Sequence, residues 1–181
     1  MNICIFGASS DKPDPAFFRL AGALGEAMAR RGHAMVFGGG AHGLMGAAAR
    51  GCARAGGTIV GVVPHFFDRP GILFEGCTEM VFTDTMSVRK TIMTERSDAF
   101  LALPGGLGTL DEIFEELTMR QLGRHDKPVA FLDCGGYWDS AVRMIDEAVE
   151  QGFADPSVLD LFGRFSDPEE CLDWLEREAA R

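Results

Sequence analysis

The chain is short of the residues that several common activities require. Its 181 residues include only three lysines (Lys12, Lys90, Lys127), and none follows a glycine at the spacing of a Walker motif, which excludes a P-loop ATPase. The five cysteines (Cys4, Cys52, Cys77, Cys134, Cys171) are scattered and never form CxxC, so they read as reduced thiols of a cytoplasmic protein, not as a zinc knuckle. Four dispersed histidines make no HExxH, and no metal site is expected. No apolar run reaches the roughly 18 residues that span a bilayer. The opening "MNICIFGASSD" lacks the basic lead of a signal peptide, so no membrane partner is expected. Basic tracts are missing too. With a formal charge of −10, nucleic acid is disfavoured as a partner, because its affinity comes largely from Lys and Arg neutralising phosphates. A small anionic ligand stays compatible, since a pocket can be locally positive on an acidic body. Repeats and linkers are also absent, and the length suits one domain over residues 1–181.

What is present is alternation. Short runs rich in Val, Ile and Phe ("NICIF", "AMVF", "TIVGVV", "EMVFT", "AFLAL", "VAFL") are separated by segments of helical length. That pattern predicts an α/β fold, a doubly wound and mostly parallel sheet with helices on both faces. Helices are expected over 15–31, 43–56, 86–97, 109–122 and 137–150, with a last one in "DPEECLDWLEREAA". Ligands of such sheets bind beyond the carboxyl ends of the strands. Three of those ends are rich in glycine or serine: "FGASSD", "FGGGAHGLMG" and "LPGGLGTLDE".

Gly38, Gly40 and Gly43 fit G-x-G-x-x-G, but the acid expected about 20 residues on, to hold a dinucleotide's ribose, is missing from the end of "TIVGVVPHFF". The loop at 103–112 is a better phosphate cradle. A helix starting near Thr109 would point free N–H groups and its positive dipole end at glycines that admit close approach. Two readings of Glu112 stand side by side. Thr109-Leu110-Asp111-Glu112 is a capping box, in which Glu112 folds back to the Thr109 amide. Alternatively, the helical wheel sets Leu110, Ile113, Phe114, Leu117 and Gln121 on the core face, and Glu112, Glu115, Glu116 and Met119 on an open one. From there Glu112 would face the sugar of a phosphorylated ligand and stabilise positive charge on its ring. In "TDTMSVRKTIMTERSD", Asp84 or Thr85 can cap a helix whose first two turns hold Arg89 and Lys90, against the dipole. The pair is either a solvated basic face or a site for an anion or leaving group.

Together these stretches resemble the LOG (LONELY GUY) family of cytokinin riboside 5′-monophosphate phosphoribohydrolases, formerly labelled possible lysine decarboxylases. The match is P-G-G-x-G-T-x-x-E at Pro104–Glu112, R-K at Arg89-Lys90, "SDAFLALPGG" between them and "GGGAHGLMG" upstream. "QLGRHDKPVAFLD" and "GYWDSAVRMIDEAVEQGF" continue it, so the resemblance covers about residues 2 to 155. It implies a Rossmann-like homodimer that hydrolyses the N-glycosidic bond of N6-modified adenosine 5′-monophosphates without a cofactor. By position it implies Arg89 and Glu112 as catalytic residues, and Gly105, Gly106, Gly108 and Thr109 as contacts to phosphate and ribose, with Lys90 near the ligand. Gly7, Ser9, Gly39, Gly40 and Met86 follow as further pocket lining.

Three positions depart from the family pattern. Ser87 stands where M-H-x-R-K has histidine, Gly71 where many members carry a loop glutamate (Glu75 is the nearest substitute), and Met119-Arg120 replaces the usual tryptophan before "QLG". Outside the family reading, two alternatives apply: a nucleotide carrier or sensor without turnover, and a general purine nucleotide nucleosidase. A pyridoxal enzyme would need Lys90 as its Schiff-base lysine. The apolar stretch "HFFDRPGILF" is expected to be a dimer surface or a core loop.

Overall fold

The computed structural model describes all 181 residues. Seven strands, β1 (Asn2–Phe6), β2 (Ala34–Phe37), β3 (Ile59–Pro64), β4 (Glu79–Thr83), β5 (Ala99–Ala102), β6 (Val129–Leu132) and β7 (Phe162–Phe165), form one sheet in the order β4-β3-β2-β1-β5-β6-β7. Every pairing is parallel. Six helices connect or flank them: α1 (Pro15–Arg30), α2 (Gly43–Arg54), α3 (Met86–Glu95), α4 (Leu107–Gln121), α5 (Asp139–Glu150) and α6 (Pro168–Ala179).

Strand alternation divides the interior. Ile3, Ile5, Met35, Phe37 and Leu101 point into a core covered by α1, α2 and α6, through Leu24, Met28, Ala48 and Leu172. Cys4, Phe6, Val36, Phe100 and Phe131 point the other way, onto Met93 of α3, Ile113 and Leu117 of α4, and Trp138. The helices begin where the sequence marks them. Asp14 accepts from the Ala16 amide ahead of Pro15, Thr85 caps α3 through the Val88 amide, and Asp167 caps α6.

The expected doubly wound architecture holds, with differences. The sheet is wholly parallel, and its edge strand β7 was not foreseen. Helix α4 starts at Leu107 with Gly106 as its N-cap, two residues before the expected Thr109. Glu116 is buried, not on an open face, and Gln121 is exposed, not in the core. Glu116 tolerates burial because Thr94 Oγ1 donates to it at 2.5 Å and His125 Nε2 lies 3.1 Å away.

From β1 the chain winds outward through β2, β3 and β4, then crosses back to β5 on the other side of β1. The carboxyl ends of β1 and β5 therefore flank the topological switch point, where such sheets form their ligand crevice.

Candidate active site in the switch-point cleft

Two helix N-termini reach this crevice, and their amides are used differently. At α2, Gly43 N–H donates to Asp11 Oδ1 at 2.8 Å, while the Leu44 and Met45 amides share the Ala8 carbonyl at 2.8 and 3.4 Å. Gly43 makes this possible: its φ is +64°, and a Cβ there would lie 2.1 Å from that carbonyl oxygen. The amides of Gly106, Leu107, Gly108 and Thr109 at the start of α4 have no backbone acceptor in the protein. Four unspent donors and the positive end of a 15-residue helix leave α4, not α2, free to receive an anion. A Cβ at Gly106 or Gly108 would meet nothing within 4 Å, so the approach is open.

One turn further along α4, Glu112 Oε1 accepts from Arg89 Nη1 at 2.6 Å. Side-chain exposures of 7% for Arg89 and 11% for Glu112 make this a nearly desolvated ion pair. Arg89 is fixed at its other end by donation from Nε to the Val62 carbonyl at 3.1 Å. Its guanidinium also packs on Gly38, where a Cβ would stand 2.2 Å from Nη2. The capping-box expectation for Glu112 is thereby corrected, as is its placement on an open face. The carboxylate turns to the arginine of α3 because α4 starts two residues earlier and its first amides stay free. Burial pushes the Glu112 carboxyl above the ordinary glutamate range, and Arg89 offsets part of that rise.

The cleft encloses about 410 Å³ between the free amides and the ion pair. The structure brings Ser9, Gly40, Met86, Arg89, Gly106, Gly108, Thr109 and Glu112 together along its walls. It leaves three expected residues out, Gly39 among them, where a Cβ would stand 2.2 Å from Val63 Cγ2. Gly105 is buried behind the wall, where a Cβ would meet Thr109 Oγ1 at 2.0 Å and the Ala8 nitrogen at 2.9 Å. Lys90 is turned to the outer side of α4, with Nζ 3.2 Å from Asp111 and 2.5 Å from Glu115.

Of the remaining wall, Met45 lies within the glycine-rich "GGGAHGLMG", but the loop residues had no motif to announce them. Phe67, Ile72 and Leu73 come from the loop between β3 and β4, and Met45 from α2. The apolar stretch 65–74 is thus in part a wall of the cleft. Its loop is laid on the 39–42 segment by Ala41 N–H to the Ile72 carbonyl (2.9 Å) and Phe74 N–H to the Gly39 carbonyl (2.8 Å). His42 ties it further, with Nδ1 2.8 Å from Asp11 and Nε2 3.0 Å from the Gly71 carbonyl. Both partners only accept hydrogen bonds, so the two contacts together require the imidazolium. The Asp11 hydrogen bond first, then the Gly71 carbonyl, raises the His42 pKa above its ordinary value.

No lysine lines the cleft. Lys90 lies outside the cleft, paired with Glu115 and Asp111, and those partners raise its pKa, so no amine is placed to hold pyridoxal phosphate as a Schiff base in the cleft. No group of three or more His, Cys, Asp or Glu side chains is disposed to hold a metal ion. No helix is long and apolar enough to cross a membrane.

Comparison with known proteins places this cleft in context. The family model described as "Possible lysine decarboxylase" matches residues 45–175. The cytokinin riboside 5′-monophosphate phosphoribohydrolase LOG3 of Arabidopsis thaliana is 37% identical over 177 residues, which is 98% of this chain and 82% of the relative. LOG1 of the same plant is 38% identical over 174 residues, 96% of this chain and 82% of its own. Among solved structures, the molybdenum cofactor carrier protein of Chlamydomonas reinhardtii superposes with a TM-score of 0.75 at 22% identity, over 99% of this chain and 98% of its own. That last likeness is one of fold alone.

Proposed function

The chain belongs to the LOG family, the possible lysine decarboxylases, and from that premise and the geometry of the cleft we propose that it hydrolyses the N-glycosidic bond of adenosine 5′-monophosphates, plain or N6-substituted. The products are the free base and ribose 5-phosphate. One observation carries the reading: a nearly desolvated Arg89–Glu112 pair lies one helical turn from four unspent amides, on the wall of the same cleft.

The 5′-phosphate docks on the amides of residues 106–109, and this remote binding energy orients the sugar over the start of α4. Glu112 then faces the anomeric carbon. Its carboxylate stabilises the oxocarbenium-like ring and positions or deprotonates the attacking water. Arg89, permanently charged and held by Val62 and Gly38, donates to the departing base or the ribose hydroxyls. Gly105 lets the loop close against Thr109, and Lys90 holds α3 to α4 without touching the substrate. The apolar side chains of Phe67, Ile72 and Leu73 suit an uncharged base and its substituent. No step calls for a cofactor or a metal.

A homodimer agrees with the exposed apolar residues around the cleft mouth and the sheet edge, among them Phe66, Phe67, Phe82 and Val88. Cytoplasmic residence agrees with five free thiols. The test is a substrate panel of AMP, isopentenyladenosine monophosphate and other purine monophosphates, with released base followed by chromatography. Release of base supports the reading. Intact nucleotide that binds and is never cleaved overturns it in favour of a carrier or sensor.

A further inference from the structure

A second cavity, of about 240 Å³, lies against the same glycine loop, lined by Ala8, Ser10, Phe17, Tyr137 and the Pro104–Gly106 backbone. The only tyrosine of the chain stands in it. Tyr137 donates its hydroxyl hydrogen to the Gly105 carbonyl, across 32 residues of sequence.

That carbonyl belongs to the peptide that joins Gly105 to Gly106. In a trans peptide the C=O of one residue and the N–H of the next point in opposite directions, and the chain has no cis bond. Holding the Gly105 oxygen on Tyr137 therefore turns the Gly106 N–H away from Tyr137. Gly106 also lines the nucleotide cleft, and its N–H is one of the four unspent donors there. Glycine flanks this peptide on both sides, and no Cβ restrains its rotation. A flip would replace a donor by a carbonyl oxygen, which repels phosphate.

Tyr137 is 43% exposed and is placed by two aromatic edge contacts. Its ring stands edge-on to Phe17 (centroids 6.3 Å apart) and to Trp138 (5.1 Å), and Trp138 is 1% exposed. The turn that carries it follows β6 and passes through Gly135 and Gly136 at φ +65° and +78°. Arg164 on β7 closes the base of the turn by bridging Asp133 and Asp139.

We propose that Tyr137 is a positioning residue for the phosphate subsite, its hydroxyl locking the Gly105–Gly106 peptide with the Gly106 N–H available to the ligand. The proposal rests on the reading that a 5′-phosphate occupies the α4 amides. Tyr137→Phe keeps both edge contacts and removes only the hydroxyl. In the variant, kcat/KM for AMP falls about tenfold, the size of one hydrogen bond to a charged group. The inhibition constant of inorganic phosphate rises by a similar factor, and the thermal stabilisation that phosphate gives the protein shrinks. A merely structural tyrosine would lower turnover and leave phosphate inhibition where it was, which would overturn the proposal. Wild-type protein that releases no base defeats the functional reading instead, and phosphate-induced stabilisation still compares the two proteins in that case. Equal stabilisation of both rejects the role of Tyr137.

Discussion

Arg89 Nη1 and Glu112 Oε1 lie 2.6 Å apart, joining two helices that come from different parts of the chain. Neither side chain is more than 11% exposed. Removing one partner from such a pair leaves the other charge buried and uncompensated, at about 3–5 kcal/mol. A chain that needed only to hold α3 against α4 could do so with apolar residues at no such risk. The pair makes sense as chemistry kept dry.

Glu112→Gln and Arg89→Ala therefore lose turnover by about 100- to 1000-fold, the usual cost of one electrostatic contact to a transition state. Circular dichroism and gel filtration of the purified variants should show the fold retained. Near-normal kcat in either variant removes that residue from the mechanism.

Gly38→Ala tests the seat of the arginine. The new methyl would lie 2.2 Å from Arg89 Nη2, so the guanidinium must shift. A displacement near 1 Å at a catalytic group costs on the order of 100-fold in rate. The loss should appear in kcat. Gly108→Ala, whose Cβ meets no protein atom within 4 Å but enters the phosphate approach, should instead raise KM and leave kcat far closer to wild type.

The pH profile carries a signed expectation. Glu112 acts as a carboxylate, so activity is absent below its pKa and gained as pH rises through it. Burial sets that pKa above the ordinary 4.5, and Arg89 opposes the rise. The acid limb of kcat/KM thus falls above the ordinary carboxylate range. The residual activity of an Arg89→Met variant should show that limb displaced to still higher pH. A limb that moves down, or does not move, contradicts the assignment.

His42 adds a weaker dependence at its own pKa. Its two-sided tie between Asp11 and Gly71 is complete while the ring is protonated, with Arg50 the nearby cation that opposes the charge. A raised folded-state pKa means the tie is whole below the ordinary 6.5 and lost as pH rises through the raised value. KM for the nucleotide should climb slightly over that interval, because an exposed ion pair is screened by solvent and holds the loop only weakly. His42→Asn should give a KM with no such climb.

Lys90→Met should matter little to the chemistry, since Lys90 pairs with Asp111 and Glu115 on a part-exposed face. Stability falls by about 0.2–1 kcal/mol, read from the denaturation midpoint. A collapse of turnover matching that of Arg89→Ala would put Lys90 back at the ligand.

Much of the fold was legible because its strands are buried on both faces and read as unbroken apolar runs: "NICIF", "AMVF" and "VAFL" coincide with β1, β2 and β6. β7 escaped because "FGRF" is an edge strand, with a glycine and an arginine among its four residues. Glu116 misled the wheel, since periodicity counts a carboxylate as polar and cannot see Thr94 and His125 waiting for it. The start of α4 was displaced for a related reason. The Thr109-to-Glu112 spacing mimics a capping box, whereas a glycine N-cap leaves no side-chain signature.

The site was legible where motifs carry it and silent elsewhere. Glycine turns after β1, β2 and β5 do converge, and the pattern Gly38, Gly40, Gly43 held a clue to the seat of Arg89. Phe67, Ile72 and Leu73 reach the cleft through main-chain bonds of a loop whose composition has no period. Tyr137 acts on a carbonyl, and no side-chain pattern encodes that.

The most direct measurement is a crystal structure of the Glu112→Gln variant with AMP bound. The phosphate is expected within hydrogen-bonding distance of the amides of residues 106–109, and the anomeric carbon facing residue 112. A nucleotide seated with its phosphate away from α4, or its sugar turned from that side chain, would contradict this mechanism.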